Sequence, residues 1–228
     1  MPNHIHNILT LTGSAEEIAR FATLVNTKGR YDPDAPEYAD VDPSELSLFD
    51  FNALIPMPTD VYRGALGYEE RQQYGRNNWY DWSVDHWGTK WNAYDIYWVN
   101  DDEYRPGDTT YAISFDTAWA APDPIYKAIA KQFPTLSGEA KFADEDMGSN
   151  CGIWYINDGH ASLWDAEESG WNDAIIHACK VWYDSDPEDN DYRINPKTGL
   201  YEYHDPYDDE DEDETDAESE ENEEKGDD

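Results

Sequence analysis

The chain has 228 residues, of which 39% are hydrophobic and 14% aromatic, so it can fill the core of one globular domain of ordinary size. Its 52 aspartates and glutamates outnumber its 15 lysines and arginines, which gives a formal net charge of -37. The sequence contains no cluster of basic residues, and this argues against direct binding to nucleic acid or to an anionic membrane.

The two cysteines, Cys151 and Cys179, form neither a disulfide framework nor a C-x-x-C metal motif. The N-terminus lacks the basic segment and apolar run of a signal peptide, and no stretch of 18 consecutive apolar residues occurs. We therefore expect a reduced, cytosolic protein without a membrane span, and no motif predicts a cofactor.

The first elements are a strand followed directly by a helix. Residues 4–12, HIHNILTLT, alternate in polarity as a half-buried strand does. Ser14 and Glu17 have the spacing of a capping box, which predicts a helix start. The apolar face of that helix follows at helical spacing: Ile18, Phe21, Ala22 and Val25.

Two insertions flank a second apolar segment. Residues 27–46 are rich in Pro, Asp, Gly and Tyr and predict a surface insertion. The run LSLFDFNALIPMP, 46–58, is interpreted as a second strand that its prolines stop. Residues 59–91 form the second insertion, partly helical and dense in aromatic side chains.

The middle of the chain predicts a hairpin and a second helix. Two strand-like runs, 93–99 and 110–119, are joined by a segment with strong turn chemistry. Asp123 is a candidate N-cap, with Pro124 at the first helical position. The apolar face of this helix continues to Phe133.

The C-terminal part predicts two further strands, near 136–144 and 150–157, and an amphipathic helix over 166–183. Residues 184–204 are an extension in which 192–203 can pair as a hairpin around the turn NPKTG. Residues 205–228 carry 16 acidic residues and one lysine and are expected to be disordered. Without this segment, residues 1–204 carry a charge of -22.

The element order contains a βαββαβ core, which is the pattern of a ferredoxin-like, split βαβ, α+β fold. We expect one domain over 1–183, with an antiparallel sheet, helices on one face, two insertions, and an extra C-terminal strand and helix. An all-β sandwich is the alternative.

Several motifs carry a family resemblance over roughly residues 1–160. They are MPNHIHNILTLTG, FNALIPMP, WGTKWNAYD, FDTAWAAP and ADEDMGSNCG, in this order. Together they resemble the YubB-type ferredoxin-like family of phage and plasmid proteins, and WGTKW is the most specific of them. The resemblance implies a ferredoxin-like fold, a mobile-element origin and a bacterial cytoplasmic setting, and it implies no catalytic residue.

Lys90, inside WGTKWNAYD, is the most unusual side chain of this acidic sequence. A buried ammonium needs a paired carboxylate, so one hypothesis is a structural clamp in which Lys90 pairs with Asp95 or Asp116. The other is a binding cleft lined by aromatic side chains around the lysine. Its candidate residues are Trp79, Trp82, Trp87, Lys90, Trp91 and Trp119.

The remaining candidates are polar. Glu145 and Asp146 precede Gly148 in a predicted loop, where they are either functional or a solvated acidic turn. His4 and His6 share one face of the first strand, but two histidines do not complete a zinc site, and no metal site is predicted. No catalytic fingerprint occurs, so no catalytic residue is assigned.

Three functions remain open from the sequence: a non-enzymatic inhibitor of a host protein that has a basic surface, a small-molecule or nucleotide-binding domain, and an enzyme with an unrecognised site. A globule of about 200 residues spans roughly 40 Å, over which duplex DNA carries about 24 phosphates. The charge of -22 on residues 1–204 is similar, so acidic DNA mimicry is one hypothesis. The other is that the acidity serves only solubility.

Overall fold

The computed structural model describes residues 3–28 and 47–205. Its centre is a six-stranded antiparallel sheet with the spatial order β2-β3-β1-β4-β5-β6. The strands are β1 His4–Thr12, β2 Tyr94–Trp98, β3 Thr110–Ala118, β4 Ser137–Asp144, β5 Gly152–Asn157 and β6 His160–Asp165. The first four strands have the order β2-β3-β1-β4, which is the ferredoxin-like arrangement, and β5 and β6 extend it beyond β4.

The two helices of the split βαβ pattern, α1 Ala15–Val25 and α5 Asp123–Gln132, contribute to one hydrophobic core with the sheet. The Ser14 side chain accepts a hydrogen bond from the Glu17 backbone N–H, as predicted. Asn7 is fully buried in this core, where its Nδ2 donates to Thr117 Oγ1 at 3.0 Å. Its Oδ1 accepts from the Tyr126 hydroxyl at 2.8 Å, so a satisfied amide joins β1, β3 and α5.

The strand predicted over 46–58 is wrong. The segment contains a single helical turn, α2 Phe51–Leu54, whose N-cap Asp50 accepts from the Asn52 N–H at 2.9 Å. Asn92 bridges the turn, because its Oδ1 accepts from the Phe51 N–H and its Nδ2 donates to Asp50. These side-chain bonds replace a strand ladder, and Phe51 still reaches the core.

The second insertion is helical, and the C-terminal end of the insertion adjoins the sheet. It contains α3 Tyr68–Tyr74 and α4 Trp79–Trp87, and α4 ends at Gly88 with a left-handed φ of 80°. The buried Thr89 hydroxyl donates to the Ala118 carbonyl at 2.8 Å and accepts from the Ala118 N–H at 3.1 Å. Thr89 therefore fixes the end of the insertion to β3. Of the first insertion, residues 29–46 lie outside the described residues.

The predicted helix over 166–183 is interrupted at Gly170, which has φ 123°. It forms α6 Ala166–Ser169 and α7 Trp171–Tyr183. α7 lies on the face of the sheet opposite α1 and α5, where Ala143 of β4 joins a small core with α7 residues. Trp182 Nε1 donates to the Asp144 carbonyl at 2.9 Å and fixes the end of α7 to the sheet.

The segment after α7 ends in a short hairpin, β7 Tyr192–Ile194 and β8 Tyr201–Tyr203, at the place where the sequence indicates one. Trp171 Nε1 donates to the Tyr201 carbonyl at 2.7 Å and joins the hairpin to α7. The acidic tail lies outside the described residues from position 206 onward. No helix of the described ranges has the length and apolarity needed to cross a bilayer.

Candidate functional site

Lys90 lies between two indole rings. Its Nζ is 4.4 Å from the ring centroid of Trp91 and 4.8 Å from that of Trp119, and both distances are within the range of cation–π contacts. Across residues 3–28 and 47–205, no ion pair joins Lys90 to Asp95 or Asp116. The partner predicted for the clamp is therefore wrong. The ammonium is half-buried and faces aromatic rings, so it needs no buried carboxylate.

Trp119 is held by an unusual backbone conformation directly after β3. Its φ is 74°, a conformation that is rare and strained for a bulky side chain. Its backbone N–H donates to the Asn3 carbonyl at 3.0 Å, and its carbonyl accepts from Asn150 Nδ2 at 3.2 Å. These two bonds hold the strained residue with 44% of its surface exposed. Strain retained in this way often marks a functional position.

Tyr94 connects these rings to the carboxylates that the sequence predicted. Its ring centroid is 6.0 Å from that of Trp91, and its hydroxyl lies 2.8 Å from His4 Nδ1. Burial raises the pKa of Tyr94 to about 12, and the charges of Asp116, Asp95 and Glu145 add to the shift. Three carboxylates therefore lie close enough to act on the Tyr94 hydroxyl.

We call this surface the aromatic patch, formed by Tyr80, Lys90, Trp91, Tyr94 and Trp119. Tyr80 contributes an edge-to-face contact with Trp119 at 6.2 Å. The sequence missed Tyr80 and Tyr94, although Tyr94 lies within the motif WGTKWNAYD. The predicted residues Lys90, Trp91 and Trp119 are brought together.

The other three predicted cleft tryptophans stabilise the insertion. Trp79 Nε1 donates to the Gly64 carbonyl at 3.1 Å. Trp87 is 6% exposed and donates to the Ile55 carbonyl, while Trp82 contacts Trp87 edge-to-face. The six-residue cleft is therefore not formed. Its tryptophans divide between a packed insertion and an exposed patch.

The predicted carboxylates have different environments. Asp116 Oδ1 is 2.7 Å from His6 Nδ1, so its partner is His6. Asp95 is exposed at an irregularity of β2 with φ 47°, and Glu145 is exposed directly after β4, where its N–H donates to the His4 carbonyl. Within the described part of the chain, no group of three His, Cys, Asp or Glu side chains could hold a metal ion.

Both cysteines are buried, Cys179 within α7 and Cys151 in contact with it. Burial raises the pKa of the Cys151 thiol to about 12, and the nearby carboxylates of Glu167, Asp165 and Asp144 raise it further. Burial likewise raises the pKa of Cys179 to about 11. The thiolate, which is the nucleophilic form, is therefore disfavoured at both positions.

A concave site lies on the face of the sheet opposite α1 and α5. It is a groove of about 950 Å³ between that face and α7. Trp98, Trp164 and Trp182 line it, together with Lys141 and Lys180. None of the cleft residues predicted from the sequence lies here. The alternation of polarity along β1 does place His6 and Ile8 on this face, and this was the only feature of the predicted elements that pointed to the groove.

Residues 93–183 match a family model described as a ferredoxin-like domain in Api92-like protein. The match begins beside β2 and ends with α7, so β1 and α1 lie N-terminal to it. It agrees with the sheet order in assigning a ferredoxin-like domain. No curated protein and no protein of known structure matches the chain.

Proposed function

We propose that the protein is a non-enzymatic accessory protein of a phage or plasmid that binds and inhibits a host protein in the bacterial cytoplasm. One observation carries the proposal: two exposed tryptophans are held by one ammonium, beside Tyr94, on which three carboxylates act. The mobile-element origin rests on the resemblance of the WGTKWNAYD motif. The partner is a protein with a basic surface, such as a nucleic-acid-binding or defence protein.

The aromatic patch has the properties of an interface anchor. Trp91 is 38% exposed and Trp119 is 44% exposed, although large indole rings are normally covered. Lys90 fixes both rings before any partner arrives, which reduces the entropy lost on association. Tryptophan is among the residues that most often contribute the largest share of binding energy.

The rim of the patch selects the charge of the partner. Asp95 and Glu145 are exposed and act on Tyr94, and the charge on residues 1–204 is -22. A negative rim accelerates encounter with a basic surface and repels acidic ones. The total charge of -22 on residues 1–204 is similar to that of duplex DNA of the same length, which supports inhibition by DNA mimicry.

The test is competition for an isolated partner. The intact protein, immobilised, is used to capture a partner from host lysate with washes at graded salt, and the partner is then mixed with fluorescent duplex DNA and increasing amounts of this protein. We expect displacement of the duplex, with weaker displacement as salt rises. Simultaneous binding of both, or an affinity that does not change with salt, contradicts mimicry.

Variants separate the anchors from the rim. Trp91→Ala combined with Trp119→Ala should weaken binding by about 2 kcal/mol or more, mainly through faster dissociation. Tyr155→Ala is the matched control, because Tyr155 is similarly exposed, at 45%, on β5. Asp95→Asn with Glu145→Gln should mainly slow association at low salt. If both tryptophans and the exposed carboxylates are dispensable for binding, the acidity serves solubility and the proposal fails.

A further inference from the structure

All six strands of the sheet contribute residues to the groove, and α7 contributes most of the rest. Its floor is the sheet face that α1 and α5 do not cover, including Ile8 of β1, Ser114 of β3 and Ile153 of β5. One wall is α7, and the other is the end of β2 with the turn at Asn100. Its volume of about 950 Å³ is in the range of small-molecule sites. Among the described residues, those lining it include none of the aromatic patch.

Two tryptophans, Trp164 of β6 and Trp182 of α7, present their rings to this groove, and both are held in place. Trp182 donates its Nε1 to the Asp144 carbonyl at 2.9 Å, and its ring centroid is 5.1 Å from that of His6. Trp164 meets the buried His177 edge-to-face at 5.4 Å. Trp98 of β2 also borders the groove, but its ring packs against the buried Tyr111 in the main core at 5.1 Å. Fixed, half-buried indole faces suit a flat heteroaromatic ring, because stacking needs no reorganisation.

The groove also contains two ammonium groups in a chain with few basic residues. Lys141 is on the floor and Lys180 is on the α7 wall. Their carboxylate partners, Glu139 at 2.8 Å and Asp186 at 3.0 Å, do not line the groove. Exposed ion pairs of this kind contribute little stability, so a phosphate can exchange for either carboxylate.

The groove therefore combines aromatic and cationic groups in one cavity. Two carboxylates, Asp173 and Asp184, also line the groove, so the charges of its lysines and carboxylates cancel. The chain as a whole carries a net charge of -37. Ser114 adds a hydroxyl to the floor. From this combination we infer that the groove binds a mononucleotide, with its base stacked on the tryptophans and its phosphates bonded to Lys141 and Lys180.

Binding is measured by calorimetric titration of the intact protein with ADP, adenosine and inorganic phosphate. We expect ADP to bind more tightly than either fragment, because only ADP uses both the indoles and the lysines. Lys141→Met with Lys180→Met should weaken ADP binding by at least about tenfold, since charge-assisted bonds are lost, and should leave adenosine binding unchanged. Lys197→Met is the matched control, because Lys197 lies in the hairpin and not in the groove.

Trp164→Leu should weaken both ADP and adenosine, which separates stacking from charge. Thermal melting of each variant shows that it is folded. The inference is overturned if ADP does not bind at millimolar concentration, if the double lysine variant binds it as the parent does, or if a single-stranded oligonucleotide binds more tightly than ADP. The aromatic patch is untouched by these variants, so this result is independent of the proposed protein partner.

Discussion

Replacing Lys90 by methionine tests whether the aromatic patch is held by a cation. Methionine keeps an unbranched side chain of similar length and removes the charge, so packing between the two indoles is largely retained. Lys90→Arg is the matched control, because a guanidinium also binds aromatic faces. The comparison isolates the charge of the side chain from its volume.

The magnitude follows from the geometry. Nζ lies 4.4 Å from the Trp91 centroid and 4.8 Å from the Trp119 centroid, and each contact at a half-exposed position contributes about 0.5–1 kcal/mol. Loss of both predicts a decrease of about 1–2 kcal/mol in the free energy of unfolding. For a chain of this size that lowers the melting temperature by about 2–8 °C.

The assay is urea unfolding of the parent, Lys90→Met and Lys90→Arg. A double-mutant cycle with Trp119→Leu should give a coupling energy of about 0.5–1 kcal/mol. A loss of about 3–5 kcal/mol would instead indicate a buried, uncompensated carboxylate, as the sequence hypothesis of an Asp95 or Asp116 partner requires. No loss and no coupling would refute the cation–π interpretation.

Thr89→Val should lower the free energy of unfolding by about 1–3 kcal/mol in a chemical unfolding experiment, because the buried hydroxyl holds the end of β3. The control Thr12→Val, at an exposed strand end, should lower it much less. Burial lowers the pKa of His177 below its usual 6.5, so the unfolded chain binds a proton more readily than the folded chain. The free energy of unfolding should therefore fall as the pH drops below about 6.5. In a pH series, His177→Gln should reduce that dependence. Cys151 and Cys179, with pKa values raised by burial, should resist a thiol reagent in the native protein and react on unfolding; rapid native labelling would contradict their burial.

The split βαβ core could be predicted from sequence because its signals are local. Polar alternation identifies β1, and the Ser14 cap marks the start of α1. The strand predicted over 46–58 failed because a distant side chain, Asn92, stabilises a helical turn there, and no local pattern reports such a partner. β6 was not predicted; its sequence HASLWD lacks a sustained apolar alternation and follows a turn of only two residues.

The candidate sites were less predictable than the fold. Lys90 and its neighbour Trp91 are adjacent in sequence, but Trp119 reaches the lysine only because its backbone adopts a positive φ after β3. The groove depends on α7 crossing to the second face of the sheet, with Gly170 allowing the change of direction. Both features are tertiary, and helical periodicity alone does not show which face of a sheet a helix covers.

The central position of β1 has a consequence for synthesis of the protein. β1 is made first, yet its neighbours are β3 and β4, so Ile5 meets Thr117 and Asp144 only after roughly 140 residues have been translated. At about 5–20 residues per second, this apolar strand waits roughly 7–28 s for its partners. An emerging chain with many carboxylates repels its copies on neighbouring ribosomes during that interval. We expect the acidity to limit aggregation of the nascent chain during that interval.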